Sequence, residues 1–581
     1  MVWTHVFLLL ALTPIYWVVD YAVRRDGLLH CMQSLGLHCA TRRAVWLTLA
    51  CVAAAYWLPW SFVSGHEWLA WFVAGIACML AWKGSTQDID PIVGNTFAAA
   101  RCLAPLCALM CLVSPLPLIA VLLLLTDPLR VWQHHATMPM RMLQAVAAYV
   151  LYCAVCAILQ GRYAIMVADE SSTVAGDWPW WVPMDAGGLV FFLVIIQVSH
   201  YWITAFAKGW LGPHWYSWMI DNRLHHLAAN AYSWGWAKFL PWSVWSRVVG
   251  ITRRCEKPMQ VFAFVLEAIA PLALLDIRIA MVLGIVWASF HVGIFLVSGL
   301  FFWEWIGTNL LLAMLLWFSF GADAAFGPWH LLIGIVYMVA FPLRHKLWKP
   351  MPLGWWDTPF TQRMHWIAIG DSGTEYGVYN SFMCPNERLY GKVHACFMSP
   401  MDGFTYHLGE VWKHDLRDAI RAAGPDADAL DRVRETYGVR PHCETLTTNH
   451  LNYLRRFFFA LNSGARKRVL PGWLWFCKAP GDQIFYWGDL PAYRRQEPVA
   501  RVMLRYREEY FDGTQLQRIH DVLVCQLEID ASCGDLPCIP EPTPKEIDDL
   551  LLGVANGKII DLPNFGDGYI RGDDGRQAAE S

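Results

Sequence analysis

The chain has 581 residues, of which 56% are hydrophobic and only 16% charged, with 33 Trp and a mean hydropathy of +0.33. Soluble domains carry about 25% charged residues, so this composition excludes an ordinary soluble protein and points to a polytopic α-helical membrane bundle whose first partner is the lipid bilayer. A formal net charge of −3, with no basic block interleaved with aromatics, gives no reason to expect a nucleic-acid partner.

The first apolar run begins at His5 without a basic leader or a small-residue cleavage site, so it reads as a first membrane helix and not as a removed signal peptide. A hydrocarbon core about 30 Å thick takes roughly 20 apolar residues per helix. Spans are therefore expected at 5–23, 44–62, 67–83, 98–125, 143–160, 188–208, 260–275, 279–298, 300–319 and 327–343. Pro115 and Pro117 make 98–125 either one kinked helix or two short ones, for a total of about nine to eleven spans. Many of the 17 Cys lie in these apolar runs, and Cys153 with Cys156 reads as packed thiols and not as a redox or metal pair.

The stretch from Phe191 to Trp218 starts fully apolar and then turns polar on one side only. At about 100° per residue, Gln197, His200, Tyr201, Thr204 and Lys208 fall on one helical face among Val, Ile, Phe, Trp and Ala. A lysine there either faces protein or a cavity, or snorkels to the headgroups from the helix end. Desolvation disfavours charged groups, so an amine kept dry is available as a base.

Residues 209–250, rich in Trp, Pro, Gly and His, are too polar to span and read as an interfacial or re-entrant segment. His225 and His226 within it point in different directions on a helix, which favours interfacial hydrogen bonding over a shared metal. Further on, Glu267, Arg278, His291, Glu304 and Asn309 stand in an apolar background, where ionisable groups face the bundle interior and pair. A structural Glu267–Arg278 ion pair is one expectation, and Glu304, between Trp303 and Trp305, fits an interfacial aromatic belt.

From residue 350 to 563 the composition changes to that of an extramembrane α+β domain, following the membrane domain of residues 1–349. Amphipathic helices are expected in the segments beginning at Trp412 and Asp426, and a strand at 499–511. Two more strands are expected within 473–488, around a Pro480-Gly481-Asp482 turn. The tail 564–581 has no apolar period and reads as loose.

The order of these features resembles the vitamin K-dependent gamma-glutamyl carboxylases and their bacterial relatives, the HTTM-domain proteins. The residues that carry the resemblance are Tyr201 through Lys208 with Trp215, then Glu267, Arg278 and Phe290-His291 with Gly293-Ile294-Phe295. Tyr376–Trp412 and the WKHDL helix resemble that family's link to its extramembrane domain, although Ala205-Phe206 stands where the family has Ala-Gly. The resemblance implies a bacterial inner-membrane enzyme in which Lys208 deprotonates a reduced, vitamin K-like quinone, with His291 as the second catalytic residue. It places Gln197, His200, Tyr201, Glu267 and Arg278 around that cofactor. O2 and CO2 are implied as co-substrates, and a peptide or protein as the molecule carboxylated. The rival expectation is a non-catalytic protein that binds lipid or quinone, or a transporter, although transport predicts a two-fold repeat that the chain lacks.

Overall fold

The computed structural model describes residues 2–24, 42–55, 66–85, 98–130, 133–159, 186–320, 326–340, 353–379, 398–438, 444–465 and 487–536, with single residues at 60, 92, 350 and 382. Among these, five segments are helical, long enough and apolar enough to cross a membrane: Val2–Asp20, Met138–Cys156, Ala186–Gly209, Trp242–Leu274 and Ile277–Ser298.

The amino-terminal helices are α1 (Val2–Arg24), α2 (Arg42–Ala55), α3 (His66–Ser85), α4 (Ala98–Met110), α5 (Pro117–Arg130) and α6 (Gln133–Leu159). The stretch 98–125 thus forms two helices, broken by a turn in which Ser114 Oγ accepts from the Leu116 backbone N–H. Helix α7 (Ala186–Gly209) runs through the bundle's centre, packed on α1 and α6, and nearly all of its residues are buried. That burial is why α7 is apolar all round in its first half.

Two short helices, α8 (Ser217–Asp221) and α9 (Leu224–Ser233), follow in the Trp-rich segment. Helix α10 (Trp242–Ala268) then starts inside that segment and not at residue 260. Its buried positions, Trp245, Val249, Thr252, Glu256, Gln260, Ala263 and Glu267, recur every three or four residues and hold one face inward over about 33 Å. Outside that face, Arg253 and Arg254 give way to exposed Val261, Phe262 and Val265, so the helix passes from polar to apolar surroundings. Helices α11 (Ile277–Ser298), α12 (Trp303–Phe320) and α13 (Pro328–Met338) complete the bundle. Gly299 ends α11 at φ +75°, the left-handed position that glycine adopts without a Cβ penalty.

Two further ionic contacts cross the bundle. Arg141 pairs with Asp20, and Lys83 pairs with Glu304. Glu304 is therefore a fully buried member of an α3–α12 pair and not a belt residue. Lys83, distant in sequence, supplies the charge that makes the position tenable.

The carboxy-terminal part is a four-stranded antiparallel sheet in the order β3-β2-β5-β6: β2 (Phe360–Gly370), β3 (Glu375–Val378), β5 (Val499–Phe511) and β6 (Leu516–Glu528). A two-residue ladder joins β1 (Trp356–Asp357) to β4 (Glu410–Val411). Helices α14 (His414–Ala423), α15 (Ala427–Tyr437) and α16 (Glu444–Asn462) pack on it. α14, α15 and β5 lie where the sequence placed them. The Pro480-Gly481-Asp482 turn and the tail from Asn564 lie outside the described residues.

This carboxy-terminal part is fastened to the Trp-rich segment and to α10. Trp218, Met219 and Ala263 share one apolar core with Trp356, Phe360, Phe404, Ile420 and Tyr510. Asn230 Nδ2 donates to the carbonyls of Thr358 and Leu408 at 2.8 and 2.7 Å. Trp234 Nε1 donates to Thr361 Oγ1 at 2.7 Å.

Candidate functional site

Helical spacing brings Tyr201, Thr204 and Lys208 of α7 onto one wall of a cavity of about 440 Å³. Gln260 and Glu267 of α10 and His291 of α11 form the facing walls, and Trp355 and Asp357 close it from the side of the carboxy-terminal domain. Apart from Ser289, whose hydroxyl donates to the Ile285 carbonyl, the remaining lining is apolar. Phe262 and Ile285, each about half exposed, mark a mouth between α10 and α11 on the apolar outer surface.

Lys208 is buried, and its Nζ donates to both oxygens of Glu267 at 2.7 and 2.6 Å. Its ammonium also lies 4.7 Å from the ring centre of Trp218, whose Nε1 donates to the Trp355 carbonyl. The lysine neither snorkels nor stands as a lone amine: it is paired with Glu267. The close seating depends on Gly354, since a Cβ there would come within 3.0 Å of the Lys208 backbone nitrogen.

Deeper in the bundle runs a chain of hydrogen bonds. Gln197 Nε2 donates to Asn309 Oδ1 at 2.7 Å, and Asn309 Nδ2 donates to the Tyr201 hydroxyl at 2.5 Å. That hydroxyl lies 3.0 Å from His291 Nε2. Its own hydrogen is assigned to His291 Nε2, an assignment that puts the hydrogen of the neutral ring on Nδ1. Nδ1 is buried without a partner among the described residues. The network is held rigid by aromatic packing: Tyr201 stacks on Trp287 with centroids 4.1 Å apart, and Trp305 meets Tyr201 and His291 edge-on. Gly284 permits the close approach of α11 and α12, for a Cβ there would sit 3.3 Å from the Asn309 carbonyl.

The residues anticipated from sequence divide accordingly. Tyr201, Lys208, Glu267 and His291 converge on the cavity, while Gln197 lies one turn deeper and reaches it through Asn309. His200 is buried but turned aside, with Nδ1 2.8 Å from the Ile196 carbonyl and its ring edge-on to Trp305. Arg278 is exposed in the first turn of α11 and does not pair with Glu267. His225 and His226 make separate contacts, to Glu256 Oε2 at 2.6 Å and to the Asp357 carbonyl at 3.3 Å. Among the described residues no group of His, Cys, Asp and Glu is arranged to hold a metal.

Two cavity residues were not singled out in the sequence. Gln260 is 1% exposed, and neither of its amide atoms has a partner among the described residues. Its position seven residues before Glu267, two turns along the same face of α10, is the signal that marks it. Asp357 is equally buried and accepts from Asn222 Nδ2 at 2.7 Å and Trp355 Nε1 at 3.1 Å. Burial pushes its carboxyl up to about 6 against the pull of those hydrogen bonds and of the Arg421 and Lys208 charges. Nothing in its local sequence distinguishes it from a surface aspartate.

No protein-family model, curated protein or solved structure matches the chain.

Proposed function

We propose that the chain is a multi-pass membrane enzyme of the vitamin K-dependent carboxylase type, resident in a bacterial inner membrane, whose cavity receives a reduced quinone. The observation that carries this reading is the convergence of Lys208, Glu267, Tyr201 and His291 on one apolar cavity with a mouth at the apolar surface. A lipid-tailed ring molecule enters such a mouth from the bilayer. The amide of Gln260 and the His291 Nδ1–H are buried polar groups that lack partners among the described residues, and oxygen substituents on a ring would satisfy them. The donor set therefore fits a quinol.

The protein's own work is proton management. Lys208 and Glu267 act as a joint acceptor for a hydroxyl proton, ending as ammonium and neutral carboxylic acid. His291 Nδ1–H donates to an oxygen of the ring and fixes its orientation, with Tyr201 and Asn309 holding the imidazole tautomer. The apolar walls exclude water from the acceptor pair. When bound, the reduced quinone supplies with O2 the strong base that removes a glutamate γ-proton from a peptide or protein substrate, and CO2 adds to the carbanion.

The test is quinol epoxidation by the purified protein, unmutated and with Lys208→Ala. Loss of activity in the variant supports the assignment, and retained epoxidation removes Lys208 from the base role. A second reading, a non-catalytic protein that binds lipid or quinone, is favoured by one observation: Lys208 and Glu267 already satisfy each other as an interhelical ion pair. Quinol binding without epoxidation by the unmutated protein would select it.

A further inference from the structure

A second cavity, of about 680 Å³, lies on the other side of Asp357, where α10 meets the extramembrane domain. It has four cationic side chains, Arg223, Arg253, Lys257 and Arg421, against two carboxylates, Glu256 and Asp512. Glu256 is engaged within the cavity wall, and Asp512 within its own turn. Glu256 holds His225 at 2.6 Å and reaches Arg223 at 3.7 Å. Asp512 accepts from the backbone N–H groups of Thr514 and Gln515 and from Gln517 Nε2, all within the β5–β6 turn.

The other three cations have no carboxylate within ion-pair distance among the described residues. Lys257 Nζ donates to the carbonyls of Ile220 and Asn222. Arg421 donates to the carbonyls of Asp221 and Asp357, and its Nε has no partner among the described residues. Carbonyls satisfy donors without cancelling charge; Asp221 near Lys257, and Asp418 and Asp357 near Arg421, offset part of it from beyond ion-pair distance, while the lining itself holds four cations against two carboxylates. Arg253 is exposed at its rim.

Position supplies the second argument. Phe262 follows Lys257 by five residues on α10, a rise of about 7.5 Å, and is exposed along with Val261 and Val265. Exposed Trp210, Trp215 and Ile220 lie in the neighbouring segment, where an aromatic belt marks a membrane–water boundary. A cationic cavity one and a half turns from apolar surface matches the depth of a phosphate with acyl chains beside it.

We infer that this cavity binds a phosphate group, presented by the headgroup of an anionic phospholipid, between Arg253, Lys257 and Arg421. The inference does not depend on the quinol reading. Because Arg421 and His226 both donate to the Asp357 carbonyl, an anion here also braces the wall shared with the first cavity.

The experiment measures binding of short-chain phosphatidylglycerol, and separately of inorganic phosphate, to the purified full chain in phosphatidylcholine nanodiscs. The same is done for Arg253→Gln and Arg421→Gln. Each substitution is expected to weaken binding about tenfold or more, as befits a charge-assisted contact, and added salt weakens what remains. Arg253, exposed and with no hydrogen bond or ion pair among the described residues although its guanidinium lies near Gly513, gives a variant whose melting temperature in the absence of ligand should equal the parent's. Substitution-sensitive binding of phosphatidylglycerol supports a lipid source, and substitution-sensitive binding of inorganic phosphate alone supports the same site filled from solution. Binding that is absent for both probes, or unchanged by both substitutions, overturns the proposal.

Discussion

Removing one member of the Lys208–Glu267 pair is the sharpest test of how this bundle is held together. At 2.6 Å and an effective dielectric of about 20, the attraction is about 6 kcal/mol, and desolvating two ions opposes it by several kcal/mol each. The net value of the pair is therefore small, yet either ion left alone in the cavity wall keeps its desolvation penalty. Lys208→Met and Glu267→Leu are each expected to destabilise the protein by about 3–5 kcal/mol. The double variant Lys208→Met/Glu267→Leu should lie within about 1–2 kcal/mol of the parent, because two apolar side chains refill the space. Equilibrium unfolding in mixed micelles, followed by tryptophan fluorescence, measures all four proteins as a double-mutant cycle. Single-variant losses under 1 kcal/mol would refute the reasoning, since they would mean that the lysine reaches water at the headgroups.

Gln260→Leu should raise the stability of the ligand-free protein by about 1–3 kcal/mol, because it removes two unpartnered buried polar atoms, and should weaken quinol binding in the same preparation. Gly299→Ala should cost about 2 kcal/mol or more: the residue sits at φ +75° and a Cβ would meet the Trp236 ring at 2.7 Å. Asp357 predicts a pH dependence. Its folded value of about 6 lies above the 3.8 expected unfolded, so its stabilising contribution is complete below the lower value and is lost as pH rises through the higher. Relative to Asp357→Asn, the parent should lose about 3 kcal/mol across that window. Matched unfolding curves at several pH values check this, and parallel curves for the two proteins would contradict it.

Much of this architecture was legible in the sequence because membrane helices announce themselves by composition and period. The apolar run and polar stripe of α7 follow from the 3.6-residue repeat, as do α14 and α15, and the strand of β5 follows from alternation. The start of α10 was hidden because its first half carries Arg and Lys on the outer face, so a hydropathy window detects only the second half. The two-part structure of 98–125 was expected as an alternative, since Pro115 and Pro117 permit both a kink and a break.

Partners were what the sequence could not supply. Composition and periodicity alone determined that the chain has helices fit to cross a membrane, a polar face on α7 ending in Lys208, and a separate α+β region. Only the tertiary structure decided that Lys208 faces Glu267 and not solvent, that Glu304 is matched by Lys83, and that Arg278 belongs to neither. The physical reason is distance along the chain. Periodicity arises from contacts within one turn of a helix, whereas an ion pair between α7 and α10, or an aspartate such as Asp357 brought over a cavity by the docking of another domain, is set by packing across the whole fold.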